Sequence, residues 1–553
     1  MAEAVAAPRS AGPSTVASGF IALLGSGFAA AAALGVAVLV GRGFGADGAG
    51  IFFQAIALFT VAAGILKLGT GSGLVRGMAR TRALHSGPPD SVMIWWATWP
   101  VLVLSSVVAL GLYLSAPALA NLLTTAGRVD QVSQVLRVLA PFIVVAAVLG
   151  VLHTAVRMMR GVLAFTVLQN ILTPLGRIVM VGAAVVAGWD VLTAIAGWAA
   201  LLPLWLLVTL GCLYGPIRRD LRRKRGKVSG ESQRTFWRFT GGRAIGAAVE
   251  VCLEWSDVLI VAALRPLHEV GIYAVTTRAV RPGQIVDRAL RVALSPRIAH
   301  YLSLADFRAA TELHTRASRA LVLLAWPFYI TLIVMGSAVL GLFGSDFVLG
   351  YPVLAVMAAA FLVANLGGML QSVMLMGGRS SWQVYEKSLV LALSVVGNLL
   401  LVPRLGIMGA AITFAVVVLT DTAVAATIVH RGIKVRLQPT QILPVGLIPI
   451  VVFGSVGLVV RALLGDEPWV LVVHLPVALS LYGTSLWLLR HRLQIEEVVT
   501  LSHWSRVRRS RTSGSEPGTD RSRTRHPAVR TKREIRGGAT SIQEGEIHDR
   551  SVR

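Results

Sequence analysis

The chain has 553 residues, of which 55% are hydrophobic and only 14% charged, with a mean hydropathy of +0.70. A soluble globular domain carries about 25% charged residues, so this composition excludes an ordinary soluble fold and assigns most of the chain to lipid. The net charge of +25 does not indicate nucleic acid, because the basic residues punctuate apolar runs as membrane loops do.

About 20 apolar residues make one crossing helix. On that rule fourteen segments qualify, in chain order 18–40, 50–69, 91–115, 136–156, 163–187, 191–214, 240–264, 270–295, 320–344, 351–377, 388–402, 407–430, 440–464 and 469–489. Residues 1–17 are rich in Ala, Ser and Pro, and the first apolar run has membrane length, so no cleavable signal peptide is expected. Loops after even-numbered segments hold 22 Lys and Arg, and loops after odd-numbered ones hold 4, namely Arg42, Arg128, Arg265 and Arg404. This asymmetry predicts that the even loops and both termini are cytoplasmic. The expected organisation is an N-terminal segment (1–17), a six-helix lobe (18–214), a basic linker (215–235), a second six-helix lobe (236–430), two further helices (440–489) and a disordered basic tail (490–553). The class is an all-α integral membrane protein. Cys212 and Cys252 lie in apolar segments and read as core filler, with no metal site implied.

The linker falls midway through the first twelve segments, which suggests a duplication. Gly50–Ile51–Phe52 opens the second segment and Gly271–Ile272–Tyr273 the eighth, each after a short external loop. Two six-helix halves with the same orientation form a parallel repeat, as in many transporters.

Four charges interrupt the seventh segment: Arg243, Glu250, Glu254 and Asp257. At about 100° per residue they share one stripe roughly 60° wide. A polar stripe on a membrane helix faces protein or water. Depth counting at about 1.5 Å per residue predicts Glu250 beside Arg281 and Glu254 beside Arg278, with Arg288 near the cytoplasmic end. Two outcomes fit: a salt-bridge seam between the two helices, or a wet cavity in which the arginines hold a pyrophosphate and the carboxylates take up a coupling proton or sodium ion. Arg177 is deep beside Pro174, and Lys67 is expected to snorkel. Asp421 has no obvious partner and is a further ion-coupling candidate. Asn170, Asn365 and Asn398 read as glue between helices, and His153 and His474 as packed.

The stretch DVLIVAALRPLHEVGIYAVTTRAV (257–280) resembles the seventh and eighth helices of polysaccharide flippases. NLLLVPRLGIMGAAIT (398–413) and GSDFVLGYPVLAVMA (344–358) are similar to other parts of that family, within the multidrug/oligosaccharidyl-lipid/polysaccharide exporter superfamily. The resemblance covers roughly residues 18–430. It implies two six-helix lobes around a cavity, alternating access, and a lipid-pyrophosphate-linked glycan as cargo. The implied setting is a bacterial plasma membrane, with membrane lipids, a polysaccharide polymerase or glycosyltransferases as partners and no nucleic acid. Lipid II flippases also carry an extra helix pair, but they place arginines in the first helix, and SGFIALLGSGFAAAAALGVAVLV has no cation.

Three other functions compete. A drug antiporter of the same fold should favour an acidic, aromatic cavity, whereas the eighth segment is arginine-rich. A membrane polymerase or acyltransferase needs a catalytic loop, and the longest external loop, 116–135, has no His. The sequence contains no GxxxxGK[ST] loop to make ATP the direct fuel. No cofactor is expected beyond the coupling ion. An inert scaffold leaves the charged stripe unexplained.

Overall fold

The computed structural model describes residues 13–84, 88–123, 129–222, 230–378 and 380–490, and among them there is no β-strand. The first half runs α1 (Pro13–Leu66), α2 (Thr70–Leu84), α3 (Asp90–Leu114), α4 (Ala116–Leu123), α5 (Val129–Met159), α6 (Val162–Phe165), α7 (Thr173–Val186), α8 (Val191–Ala200) and α9 (Leu202–Leu221). The second half runs α10 (Gly230–Leu264), α11 (Leu267–Val280), α12 (Gln284–Ser303), α13 (Phe307–Val334), α14 (Gly336–Gly341), α15 (Tyr351–Asn365), α16 (Leu370–Met376), α17 (Ser380–Leu405) and α18 (Ile407–Thr427). Two more helices follow, α19 (Pro439–Leu464) and α20 (Val470–Leu489).

Helix covers each of the fourteen expected segments, but fewer qualify as spans on apolarity alone. Among the described residues, 11 stretches are long and apolar enough to cross a membrane. The first, Ile21–Ala83, holds two expected segments, because α1 passes through a kink at Gly45. Gly45 has φ 64°, which only glycine adopts freely. α10 and the α11–α12 pair fall outside the eleven, since their charges break each long apolar run.

Several helices extend past their apolar cores. Residues 70–84, expected as loop, form α2 after a left-handed break at Leu68 (φ 51°) and Gly69 (φ 67°). The basic linker is partly helical: α9 continues to Leu221 and α10 begins at Gly230. Buried Asp220 anchors this end of α9, accepting hydrogen bonds from the Ser91 backbone N–H (2.8 Å) and hydroxyl (3.0 Å). Hydropathy detects only the lipid-facing part of a helix, so polar turns beyond it read as loop. The rest of the linker (223–229), most of the N-terminal segment (1–12) and the tail beyond Arg490 lie outside the described residues.

Two breaks shape the interior. Before Pro174, which lacks an N–H, the chain widens into a π-helical turn, Thr166–Leu172. The Thr173 hydroxyl donates to the Leu168 carbonyl at 2.8 Å and satisfies one group there. Pro282 separates α11 from α12 through a 3₁₀ turn, Arg281–Gly283.

The two halves of the sequence repeat meet directly. Gly50 of α1 and Gly271 of α11 pack backbone to backbone. A Cβ on Gly271 would stand 1.9 Å from the Ala46 carbonyl oxygen, and one on Gly50 would stand 2.1 Å from that of Leu267. Nearby, the Arg42 Nε donates to the Leu342 carbonyl at 2.8 Å. These contacts close the end of the molecule that carries Gly45 and the α10–α11 turn.

The last two helices attach through α13. Tyr482 of α20 donates to the Leu323 carbonyl at 2.8 Å. Gly446 of α19 lies against Trp326, whose ring would be 2.3 Å from a Cβ there.

Candidate functional site: a cationic cavity

A cavity of about 420 Å³ opens between both halves of α1, α5, the π-helical turn with α7, and the facing sides of α10 and α11. Three cations line it: Lys67, Arg177 and Arg278. Thr60, His153, Gln169, Asn170 and Thr173 add polar groups, and none of the described lining residues is Asp or Glu. The aromatic rings of Phe53, Phe59, Trp198 and Trp255 complete the wall.

The local folding explains how these cations point inward. The π-helical turn rotates Gln169 and Asn170 toward the cavity, and one turn into α7 Arg177 lies over the Trp198 ring at 3.9 Å. Stacking uses the face of a guanidinium and leaves its N–H edge free to bind. The buried Nε of Arg177 makes no hydrogen bond. Arg278 lies 3.8 Å from the Phe53 ring centre and 5.1 Å from that of Trp255. Its Nη1 donates to the Ala274 carbonyl at 2.7 Å, while its buried Nη2 has no partner. Lys67 crosses Gly150, where a Cβ would stand 2.2 Å from its Cε. Two buried guanidinium donors without acceptors, in a cavity with no carboxylate among its described lining residues, have the chemistry to bind an anion.

The expected stripe on α10 does not face this cavity. Arg281 binds Glu254, not Glu250, with Nη1 at 3.1 Å from the carboxylate and Nη2 at 2.7 Å from the Glu254 carbonyl. Depth counting missed this because side chains lean toward their own helix N-terminus. α10 and α11 run in opposite directions, so Arg281 and Glu254 lean toward each other across a full turn. Arg278 does not meet Glu254; it turns to the aromatic wall instead. Glu254, Asp257 and Arg281 line a separate pocket of about 140 Å³ beside Phe361 and Phe414. Asp257 is buried there and accepts hydrogen bonds from the Tyr273 hydroxyl (3.0 Å) and the Val258 N–H (2.8 Å). Arg243 and Glu250 line a small cleft against Gln383 and Lys387 of α17. Arg288 is exposed on α12. Of the five expected cavity arginines, therefore, the cavity gathers Arg177 and Arg278.

Lys67 does not snorkel; it lines the cavity. Asn170 and His153 line it too, and Asn398 bonds within its own helix, to the Ser394 carbonyl at 2.7 Å. Asp421 has a partner after all. Lys387 reaches it at 2.6 Å, and Gln371 bridges Asp421 (3.5 Å) and Glu386 (3.0 Å). Glu386 is 2% exposed, and its second oxygen makes no hydrogen bond. Sequence reading counts Lys387 only as a loop cation and passes over Glu386, because both sit in a segment that reads as loop. No group of His, Cys, Asp and Glu among the described residues could hold a metal ion.

Lys67 offers a local test. Gly150→Ala should push its flexible end out of the cavity while the helices stay in place. Transport should fall with no change in melting temperature, whereas a substitution at Gly111, which has nothing within 4 Å, should leave both unchanged.

The sequence of residues 15–302, just over half the chain, matches the family described as "Polysaccharide biosynthesis protein". The chain belongs to that family. A curated relative from Haloferax volcanii, described as "Probable low-salt glycan biosynthesis flippase Agl15", is 22% identical over 245 residues. That match covers 43% of this chain and 50% of the relative, so the chain spans about half the length of the relative it matches. Among solved structures, "Lipid II flippase MurJ, inward closed conformation" superposes with a TM-score of 0.68 at 11% identity, covering 86% of this chain and all of that one. An inward-facing multidrug resistance MATE family transporter of the MOP superfamily gives 0.57 at 15% identity, covering 73% of this chain and 94% of that one. At these identities the two structures establish the fold, which is the all-α MurJ- and MATE-like transporter fold.

Proposed function

We propose that this member of the polysaccharide biosynthesis family is a flippase. Its cargo is a lipid-pyrophosphate-linked oligosaccharide, carried across the plasma membrane by alternating access for cell-surface polysaccharide synthesis. The observation that carries this reading is the cavity itself, with Lys67, Arg177 and Arg278 and no carboxylate among its described lining residues. A pyrophosphate brings two phosphoryl groups, and stacked arginines present planar donor edges that match them. The aromatic wall suits a sugar or isoprenoid face. Family membership and the description of the Haloferax relative agree with this cargo class. The chain acts as a transporter, not an enzyme.

The drug-antiporter reading has the fold but not the electrostatics, since a cationic drug would meet three like charges here. Lipid II as cargo is disfavoured by a first apolar segment, residues 18–40, without a cation. For coupling, we assign the proton or sodium ion to the Glu386–Gln371–Asp421–Lys387 cluster of the second lobe. It holds two carboxylates, one with an unpartnered oxygen. The excess of Lys and Arg in even-numbered loops supports cytoplasmic termini, and we assign the chain to a bacterial plasma membrane. Polymerases and glycosyltransferases would act on the delivered glycan.

Depletion of the chain in its native cell tests the reading. Lipid-linked glycan should accumulate on the cytoplasmic face while surface polysaccharide falls. Loss of surface polysaccharide without that intermediate would point to a polymerase or transferase instead.

A further inference from the structure

A second basic pocket lies in the second lobe, apart from the cargo cavity. It has a volume of about 570 Å³ and sits between the first turns of α13 and the chain that joins α18 to α19. Arg308, Arg316 and Arg319 project from α13, within an arc of roughly 80° by helical geometry. Lys434 and Arg436 face them from the connecting chain. Glu312 is the one carboxylate among the described lining residues, and Arg308 engages it at 3.3 Å.

The walls are fixed to each other. The backbone N–H of Arg436 donates to Thr311 Oγ1 at 3.2 Å, and the Thr315 hydroxyl donates to Gln438 Oε1 at 3.3 Å. Lys434 caps the preceding π-helical turn, Ile428–Ile433, with φ 66°. Glycine is the ordinary residue at such a left-handed helix end, because a Cβ is strained there. Here a lysine occupies it and contributes its charge to the pocket.

The pocket also sits at a defined depth. α13 becomes continuously apolar from Ala320, and α19 from Ile442. The five cations therefore lie where the apolar core ends, level with lipid headgroups, on the side with the excess of loop cations. Cations that only snorkel spread outward singly. These converge from two elements on one concavity, with threonine and glutamine groups between them.

We propose that this pocket is a phosphate-binding site, separate from the cargo cavity, that takes the headgroup phosphate of an acidic phospholipid in the cytoplasmic leaflet. The bound lipid ties the start of α19 to α13 and so holds the last helix pair against the second lobe. The site is independent of what the cargo cavity carries.

Native mass spectrometry of the full chain in neutral detergent tests this. Cardiolipin or phosphatidylcholine is added to the wild type, to Lys434→Gly/Arg436→Gln and to Arg278→Met. Lys434→Gly removes a charge and relieves the left-handed backbone at once, so misfolding does not explain a loss of lipid. The wild type should retain cardiolipin over phosphatidylcholine. The double variant should lose about fivefold for each cation removed, roughly 25-fold in all, and Arg278→Met should retain it as the wild type does. Inorganic phosphate should compete with cardiolipin only weakly. Equal retention of both lipids, or wild-type retention by the double variant, overturns the proposal. Equal loss in Arg278→Met moves the lipid to the cargo cavity, which also overturns it. If inorganic phosphate displaces cardiolipin at equal concentration, the source is a soluble phosphate and the lipid assignment fails.

Discussion

Replacing Gly271 with alanine should hold the protein open at its sealed end and slow transport about fivefold or more. The new Cβ would lie 1.9 Å from the Ala46 carbonyl oxygen and 2.9 Å from the Gly50 nitrogen, both backbone atoms. A side chain could rotate away from such a clash, but two helix backbones must separate. Overpacking of this kind costs about 1–3 kcal/mol. That penalty falls only on the state in which α1 and α11 touch, so it shifts the conformational equilibrium by roughly 5- to 150-fold. Gly50→Ala, with its Cβ 2.1 Å from the Leu267 carbonyl oxygen, should act the same way. Spin labels at Trp189 and Leu349, exposed at this end on the first and second lobes, report the separation. The distance should lengthen in both variants and stay unchanged in Gly111→Ala. An unchanged distance with normal transport would mean that this seal does not form in the working cycle.

Arg278→Met should weaken cargo binding by about 10- to 150-fold. Methionine fills the space between Phe53 and Trp255 and keeps favourable ring contacts, so the wall stays packed while the charge goes. A hydrogen bond to a charged group contributes about 1.5–3 kcal/mol, which sets the range. Arg281→Met is the informative comparison. Arg281 is paired with Glu254, whose side chain is 52% exposed, and it lines a different pocket. Exposed pairs contribute about 0–1 kcal/mol, so that variant should stay within roughly fivefold of wild type. Equal losses in the two variants would mean that the two pockets act as one site.

Sequence made the helices legible and the cavity only in part. Apolar runs near 20 residues mark lipid-facing turns, so the helices were placed, while α2 and the helical ends of the linker were not. The repeat signal Gly-Ile-Phe and Gly-Ile-Tyr was visible as two similar strings. Its meaning, two glycines packed against each other, required three dimensions. Arg177 and Arg278 were each conspicuous as cations in apolar segments. Their convergence depends on the π-helical turn before Pro174 and on the stacking over Trp198 and Phe53, and neither has a spacing signature. The stripe on α10 misled because a shared helical face need not meet a single neighbour. Its inner end meets α17, its outer end meets α11, and the cavity lies beside it at Trp255. Lys67 was visible too, but a lysine near a helix end ordinarily reaches for the interface; Gly150 opens a different path for it.

We propose that an anionic headgroup sits among Lys67, Arg177 and Arg278. The most direct test is transport by the purified full chain in liposomes, with one oligosaccharide attached to a polyprenyl pyrophosphate or to an uncharged lipid. The pyrophosphate-linked form should cross, the uncharged form should not, and Arg278→Met and Arg177→Met should abolish the difference. Equal transport of the two lipids by the wild type, or full preference for the pyrophosphate in both variants, would contradict the proposal.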